Sequence, residues 1–326
     1  MSLNKLTRYR YLTTIDLMNT GANIGCSLNA EVLAILRNLL VEKGDLLGFD
    51  VAFSGSSANV ANALRACGSS VGLFGLVGHH SMRTDLLKLA AKWANFPLPT
   101  LLDVLTDTSI AVIPYDKQSD KTTVAGAKGE IVQEKVRRAL RQLRKFLDKN
   151  PDAFGVMTGF RKEELPFAKV VFEKTPVGKR VLCPREAFCR DSAFESFLSS
   201  VDCLVVNETE FGGAGGNAAN LINRGPRVVV VTKGRTGGEF YVRGENAVAY
   251  EPHVVTHMEA TGTGDWFLGS FISYLDLAGE NFLTATSATI KKAVVFAARV
   301  AGQKADIPGG SKGPSVELIR RLLCEE

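Results

Sequence analysis

Continuous apolar runs rich in β-branched residues recur along this chain, separated by segments with helical spacing of apolar residues. Five of these runs predict strands: Val71 to Val77, Phe154 to Thr158, Arg180 to Cys183, Cys203 to Asn207 and Val228 to Thr232. Their apolar residues do not alternate with polar ones, which indicates that both faces of each strand are buried. The pattern therefore predicts an α/β fold with a mostly parallel central sheet and helices on both faces.

A glycine-containing turn, EATGTGDWF from Glu259 to Phe267, lies between an extended segment and a segment with helical spacing. Gly262 and Gly264 allow a ligand to approach the backbone, and the first N–H groups of a helix have no intrahelical partner. We therefore expect the amides of Gly262, Thr263 and Gly264 to face negative charge, and Asp265 to reach a substrate hydroxyl as a general base. A turn in which Asp265 only caps the helix is the alternative.

The same segment resembles the C-terminal signature of the ribokinase-like (PfkB) family of sugar and nucleoside kinases, in which Asp-Thr-Thr-Gly-Ala-Gly-Asp precedes a helix. Three further segments occur in the order that the family has. SGSSANVANALRACG, from Ser54 to Gly68, is similar to its substrate loop, and NETE, from Asn207 to Glu210, is similar to its Asn-x-x-Glu motif. VVVVTKGRTGG, from Val228 to Gly238, is similar to its nucleotide loop. These motifs span most of the chain and identify it as a member of this family.

The resemblance implies that the chain transfers the γ-phosphate of ATP to a primary hydroxyl group. Asp265 matches the family's catalytic base. Asn207 and Glu210 match the pair that organises Mg2+, with Glu210 acting through water, and a helix-capping pair is the alternative. The residues that match the family's nucleotide loop, for which a plain glycine turn is the alternative, are Thr232, Gly234 and Gly237.

The acceptor side of the expected site lies in the N-terminal part of the chain. Gly55, Ser56 and Asn59 match the family's substrate loop, and Asp16 matches its aspartate at the end of the first strand. A carboxylate and an amide suit vicinal hydroxyls, because each can make two hydrogen bonds to a sugar ring. An ordinary turn aspartate at position 16 is the alternative.

The chain departs from the family pattern at several positions. Ser54 replaces the first glycine of the substrate loop, and His80 and Arg83 replace an aspartate and a glycine that often follow the second strand. Glu259 and Ala260 replace residues in a region that helps hold a monovalent cation in relatives. The resemblance therefore implies ATP and Mg2+ as cofactors and leaves K+ as an open question.

A small lid is the other element that the resemblance implies. The segment from Ile110 to Gly129 has two extended pieces around a polar turn, for which a plain surface hairpin is the alternative. We expect residues 1–326 to form a single ribokinase-like α/β domain, with the lid built from the N-terminal segment and residues from about 105 to 129. A homodimer through this lid is an open possibility.

Composition limits the remaining possibilities. The chain has 326 residues, of which 45% are hydrophobic and 22% charged, and no apolar run is long enough to span a bilayer. The N-terminus lacks a signal-peptide core, so we expect a cytoplasmic protein with no membrane partner. The basic run from Lys135 to Lys145 has helical spacing and favours a solvated helix face over a nucleic-acid site. The six cysteines and four histidines lack metal-ligand spacing.

Three functions are compatible with these motifs. The first is an ATP-dependent kinase of a free sugar. The second is a nucleoside kinase, mildly favoured by the helix-like run from Ala30 to Gly44 and by SGSSAN, which resemble features of adenosine-kinase-like members. The third is a non-catalytic binding protein, which would have no chemical reason to retain the glycine turn together with Asp265, Asn207 and Glu210.

Overall fold

The computed structural model describes residues 11–15, 55–78, 82–93, 95–96, 99–112, 125–127, 129–253, 261–307 and 309–325. The strands are β1 (Tyr11–Ile15), β2 (Val71–Gly78), β3 (Thr100–Leu105), β4 (Ile110–Val112), β5 (Ala125–Ala127), β6 (Phe154–Thr158), β7 (Arg180–Cys183), β8 (Cys203–Asn207), β9 (Val228–Thr232), β10 (Gly238–Val242) and β11 (Val248–Tyr250). The main α-helices are α1 (Ser56–Ala66), α2 (Met82–Trp93), α3 (Gln133–Leu147), α4 (Leu165–Lys174), α5 (Glu186–Cys189), α6 (Ser192–Leu198), α7 (Glu208–Gly213), α8 (Ala218–Asn223), α9 (Thr263–Leu277), α10 (Ser287–Ala305) and α11 (Val316–Cys324).

The large sheet has nine strands in the order β11-β10-β9-β8-β7-β6-β1-β2-β3. Neighbouring strands from β9 to β3 run parallel, whereas β10 pairs antiparallel with both β9 and β11 at one edge. The prediction of a mostly parallel central sheet is therefore confirmed. All five predicted strands are present, and β2 is one residue longer than expected.

Sequence patterns missed β3, β10 and β11, which lie at or near the two edges of the large sheet. In β10 buried and half-buried residues alternate, which is the pattern of a strand that is covered less completely on one of its faces. In the predicted strands, neighbouring residues are buried in different hydrophobic clusters on the two faces of the sheet. Leu73 and Val77 of β2 belong to the cluster that includes α1, α9 and α10, whereas Phe74 and Leu76 belong to the cluster that includes α3 and α4.

Helices α1 and α9 pack in the same direction, which brings their N-termini to the same end of the sheet. The Asn59 amide near the start of α1 contacts Asp265 near the start of α9. Past the end of α1, the Ser69 hydroxyl lies 2.6 Å from the Ser273 hydroxyl. Between these contacts the backbones come close at Gly269, where an added Cβ would lie 2.7 Å from the carbonyl oxygen of Val60. Two helix N-termini, which both favour negative charge, therefore lie side by side.

The basic run from Lys135 to Lys145, which is predicted to form a solvated helix face, lies within helix α3. The helix residues Ala139, Leu143 and Leu147 are buried, whereas Arg137 and Arg141 are exposed. The prediction that this run forms a helix with one exposed face is therefore confirmed. Among the residues that the structure describes, no helix is both long and apolar enough to cross a membrane.

A small second sheet consists of β4 and β5, which pair antiparallel from Ile110 opposite Ala127 to Val112 opposite Ala125. The two extended pieces predicted within residues 110–129 are thus present, and their role as a lid stays a prediction. Several predicted features lie outside the described residues, namely the helix-like run from Ala30 to Gly44, Asp16, Ser54, His80, Glu259 and Ala260. The question of a monovalent cation, which depends on Glu259 and Ala260, accordingly stays open.

Candidate active site

The predicted glycine turn opens helix α9. Gly262 is the residue before the helix and has φ 78° and ψ 0°, a left-handed conformation that glycine adopts most readily. A Cβ at this position would lie 2.6 Å from the carbonyl oxygen of Gly310, so the space also requires glycine. The helix begins without a side-chain cap, and Asp265 is its third residue. Asp265 therefore does not occupy the N-cap position, which is Gly262, and the first-turn amides are the groups that no i−4 carbonyl can satisfy.

Asp265 is joined to the acceptor side of the site. The Asn59 side-chain amide donates a hydrogen bond of 2.8 Å to Oδ2 of Asp265. Asn59 is 2% exposed, so this amide is positioned by its buried surroundings in α1. An ionised carboxylate can accept about four hydrogen bonds, so the bond to Asn59 leaves Asp265 able to accept one from a substrate hydroxyl. The arrangement suits a general base that is oriented before the substrate binds.

A C-terminal loop, residues 309–313, covers the turn from the other side. The Trp266 indole N–H donates a hydrogen bond of 3.1 Å to the carbonyl oxygen of Gly310. A Cβ at Gly313 would lie 2.1 Å from the same indole ring, so only glycine fits there. Sequence reasoning missed this loop, although the glycine-rich sequence GGSKG after α10 was a signal of close backbone packing.

The acceptor loop begins at Gly55, whose φ of 109° requires glycine, and continues into α1 at Ser56. Its neighbour is Gly159, which follows β6 with φ 62°. A Cβ at Gly159 would lie 3.0 Å from the Ser56 hydroxyl oxygen and 3.6 Å from Nε of Arg185. Nε of Arg185 donates a hydrogen bond of 2.5 Å to the carbonyl oxygen of Gly159. Sequence reasoning missed Gly159 and Arg185, because no spacing in the chain links them to Ser56.

Asn207 and Glu210 form a capping box at the start of α7. The Glu210 backbone N–H donates to Oδ1 of Asn207, and the Asn207 backbone N–H donates to Oε2 of Glu210, both at 2.9 Å. Asn207 and Glu210 therefore do cap the helix, and this capping does not prevent the same side chains from binding a metal ion. Each of these oxygens has a second lone pair, and the other Glu210 oxygen can accept from a metal-bound water.

The electrostatics around Glu210 favour a cation. Burial raises the pKa of the Glu210 carboxyl group above its ordinary value, and the negative charge of Glu186 raises it further. The Asn207 N–H and the positive charge of Arg185 oppose this shift. A carboxylate beside a second carboxylate gains from a bound cation. The donor set therefore fits Mg2+, which binds through one or two carboxylates together with phosphate oxygens and water.

The predicted nucleotide loop connects β9 to β10. The Lys233 N–H donates to the carbonyl oxygen of Gly237 at 2.8 Å, which closes the loop. Gly234 and Gly237 have φ 55° and 81°, and a Cβ at Gly237 would lie 2.2 Å from the carbonyl oxygen of Tyr250. A Cβ at Gly234 would meet no atom within 4 Å, so this glycine faces open space. Thr232 is paired in register with Asn207 of the neighbouring strand, which puts the two motifs side by side at the carboxyl edge.

The Cys183 thiol lies near both the proposed base, Asp265, and the candidate metal ligand, Glu210. Burial raises its pKa well above the ordinary value, and the negative charges of Glu210 and Asp265 both raise it further. Cys183 is the last residue of β7, so both carboxylates lie near the carboxyl end of this strand. The structure thus brings together Asp265, Asn59, Ser56, Glu210 and Asn207, whereas Asp16 lies outside the described residues.

The comparisons with known proteins concern the family and the fold of this chain. The family model for pfkB family carbohydrate kinases matches residues 46–313. A ribokinase from Giardia lamblia has a similar structure, with a TM-score of 0.71, 17% sequence identity and coverage of 98% of this chain and 99% of that chain. No curated protein sequence matches the chain.

Two further solved structures have the same fold. One is a putative ribokinase II from E. coli in complex with ATP and Mg2+, with a TM-score of 0.68, 14% identity and coverage of 98% of this chain and 100% of that chain. The other is a Burkholderia thailandensis nucleoside kinase in complex with inosine, with a TM-score of 0.64, 14% identity and coverage of 96% and 97%.

Because the family model covers most of its length, the chain belongs to the pfkB family of carbohydrate kinases. It is a phosphotransferase that acts on a hydroxyl group of a sugar or a nucleoside, and its fold is ribokinase-like. The family assignment and the fold class predicted from the sequence are both confirmed.

Proposed function

We propose that this protein transfers the γ-phosphate of ATP to a primary hydroxyl group of a sugar, with Asp265 as the general base. The observation that carries this proposal is the hydrogen bond from Asn59 to Asp265. It joins the loop that resembles the family's sugar-binding segment to the carboxylate that resembles its catalytic base. A hydroxyl bound against the start of α1 would therefore lie beside the group that must take its proton.

The proposed reaction is an in-line transfer. As the proton of the acceptor hydroxyl passes to Asp265, its oxygen forms a bond to the γ-phosphorus. The bond between that phosphorus and the bridging oxygen breaks, and the electron pair stays with ADP. The first-turn amides around Gly262, Thr263 and Gly264 stabilise the negative charge on the transferred group. Since the first turn of a helix has unsatisfied N–H groups, this stabilisation is built into the backbone.

The nucleotide is expected to lie against the loop from Thr232 to Gly238, with its phosphates directed toward the glycine turn. Asn207 and Glu210 would hold Mg2+ through water beside these phosphates. When bound, Mg2+ supplies positive charge that offsets the charge of the phosphate oxygens. Gly234 allows the backbone to approach the nucleotide, since it presents no side chain to the open space beside it.

A nucleoside acceptor is the second candidate, favoured by the structural similarity to a nucleoside kinase in complex with inosine. Purified protein would be incubated with Mg-ATP and separate sets of free sugars and nucleosides. ADP release would report turnover, and 31P NMR of the product would identify a phosphomonoester on a primary carbon. Turnover with sugars alone would support the first candidate, turnover with nucleosides alone would replace it by the second, and no turnover with either would contradict both.

A further inference from the structure

Arg185 occupies a central position that none of the motifs above explains. It lies between β7 and α5 at the carboxyl edge of the sheet, and its Nε donates a hydrogen bond of 2.5 Å to the carbonyl oxygen of Gly159. This bond fixes the side chain across the ends of two neighbouring strands, β6 and β7. Since a guanidinium group is planar and has five N–H donors in a rigid fork, fixing Nε also fixes the plane of the two terminal nitrogens.

Arg185 lies near both the acceptor side and the metal side of the proposed site. On one side is Gly159, which packs against the hydroxyl of Ser56 at the start of the acceptor loop. On the other side is helix α7, which carries Glu210 and packs against α5: a Cβ at Gly213 would lie 3.5 Å from Cγ of Glu186, the residue after Arg185. Arg185 therefore lies between the acceptor loop and the proposed magnesium ligand. In a phosphotransferase, the phosphoryl group that is being transferred lies between the acceptor and the metal ion.

We infer that Arg185 is a catalytic residue that contacts the transferring phosphoryl group through its guanidinium nitrogens. The inference rests on the proposed function. As the acceptor oxygen bonds to the γ-phosphorus and the bond to ADP breaks, negative charge is spread over the equatorial phosphoryl oxygens. A guanidinium that is already fixed stabilises that charge without reorganising. The proton still passes to Asp265, because an arginine cannot accept it.

A purely structural role for Arg185 is the competing explanation, since its Nε already holds Gly159 in place. The two roles make different predictions. An anchor would change stability or acceptor affinity, whereas a contact to the transferring group would change the rate and the binding of a transition-state mimic. Arg180 provides a matched control, because its Nε donates a hydrogen bond of 3.1 Å to the carbonyl oxygen of Thr175 at the other end of β7.

The test compares R185Q, R185K and R180Q with the wild-type protein. For each we would measure kcat, both KM values and Tm, and the affinity for Mg-ADP with and without aluminium fluoride in the presence of acceptor. We expect R185Q to lower kcat by about a hundredfold to a thousandfold, as loss of one transition-state donor does. It should bind Mg-ADP normally and lose most of the extra affinity that aluminium fluoride confers. R185K should recover part of kcat, and R180Q should resemble the wild type.

Three outcomes would overturn the inference: a wild-type kcat in R185Q, a raised acceptor KM with kcat unchanged, or aluminium fluoride enhancement equal to that of the wild type. A rise in acceptor KM alone would assign Arg185 to acceptor binding. Failure of the proposed function is distinguishable, because the wild type itself would then show no turnover with any acceptor and no affinity for Mg-ADP. If R185Q were unstable, the kcat and mimic affinity of a stable R185K would decide the question.

Discussion

Asn59 and Asp265 are 206 positions apart in the sequence, yet the side-chain amide of one donates a hydrogen bond of 2.8 Å to the carboxylate of the other. The bond joins the first turns of α1 and α9, two helices whose N-termini point at the same region. It therefore couples the orientation of the proposed base to the loop that is expected to bind the acceptor.

The Asp265→Asn variant should lose activity without losing stability. An asparagine cannot accept the proton of the hydroxyl, so kcat should fall by about a hundredfold to ten-thousandfold. Its side-chain oxygen can still accept the bond from Asn59, so Tm and Mg-ADP affinity should stay close to wild type. Asp85→Asn, at an exposed ion pair with Lys88 on α2, is the control. Near-normal turnover in the first variant would remove Asp265 from the mechanism.

The Asn59→Ala variant should lose both stability and catalytic efficiency. It removes a buried amide and leaves the carboxylate of Asp265 without that donor, which costs about 1 to 3 kcal/mol in the free energy of unfolding. Acceptor KM should rise as well, since Asn59 lies in the proposed acceptor loop. Asn62→Ala, at a half-buried position of the same helix, is the matched control for urea unfolding and steady-state kinetics. Equal behaviour of the two variants would contradict the prediction.

The glycines of the turn should differ sharply in their tolerance of alanine. At Gly262 a Cβ would meet the carbonyl oxygen of Gly310 in a left-handed backbone, so Gly262→Ala should cost about 1 to 3 kcal/mol of stability. At Gly264 an added Cβ meets nothing within 4 Å, so Gly264→Ala should keep or raise Tm. Thermal unfolding of both variants is the measurement. A similar loss in both would mean that contact with the 309–313 loop does not explain Gly262.

The Glu210→Gln variant should require more magnesium. Gln can keep the bond from the Asn207 N–H, but it lacks the charge that favours a metal-bound water, so half-saturating Mg2+ should rise by about ten- to a hundredfold. Glu208→Gln is the matched control, because Glu208 begins the same helix and is exposed. Magnesium titrations of ATP turnover would check this, and equal magnesium requirements in the two variants would remove Glu210 from the metal site.

Asp202 should make stability depend on pH. Its Oδ2 accepts hydrogen bonds from the backbone N–H groups of Gly178 and Arg180, but burial still raises its pKa above the ordinary value of 3.8. An acid whose pKa is raised on folding contributes stability below its unfolded pKa and loses that contribution as pH rises through the folded pKa. Asp202→Asn should therefore gain stability relative to wild type as the pH rises above 3.8.

Urea unfolding of the wild type and Asp202→Asn at several pH values would measure this trend. Asp152→Asn, at an exposed position, is the matched control. A difference between wild type and Asp202→Asn that is constant across the range would mean that burial of Asp202 does not control this dependence.

Much of the fold is determined by local sequence. The buried strands β6, β7, β8 and β9 start and end where the apolar runs do, because a strand covered on both faces needs apolar residues at every position. The glycine turn before α9 was equally readable, since a left-handed residue at Gly262 and the helical spacing after it are local properties. Strands near the edge of the sheet, such as β10, carry a weaker signal, because alternate residues are only partly covered.

Tertiary structure decided how the separate motifs meet. The order of strands in the sheet, with β6 beside β7 and β1, places Gly159 between Ser56 and Arg185, and no spacing in the chain encodes that proximity. The parallel packing of α1 on α9 decided that Asn59 would contact Asp265. Periodicity reports only which face of a segment is buried, whereas the partner on that face depends on the packing of every element together. The sequence by itself therefore determined the elements and the chemical groups, and the fold determined which of these groups act on one another.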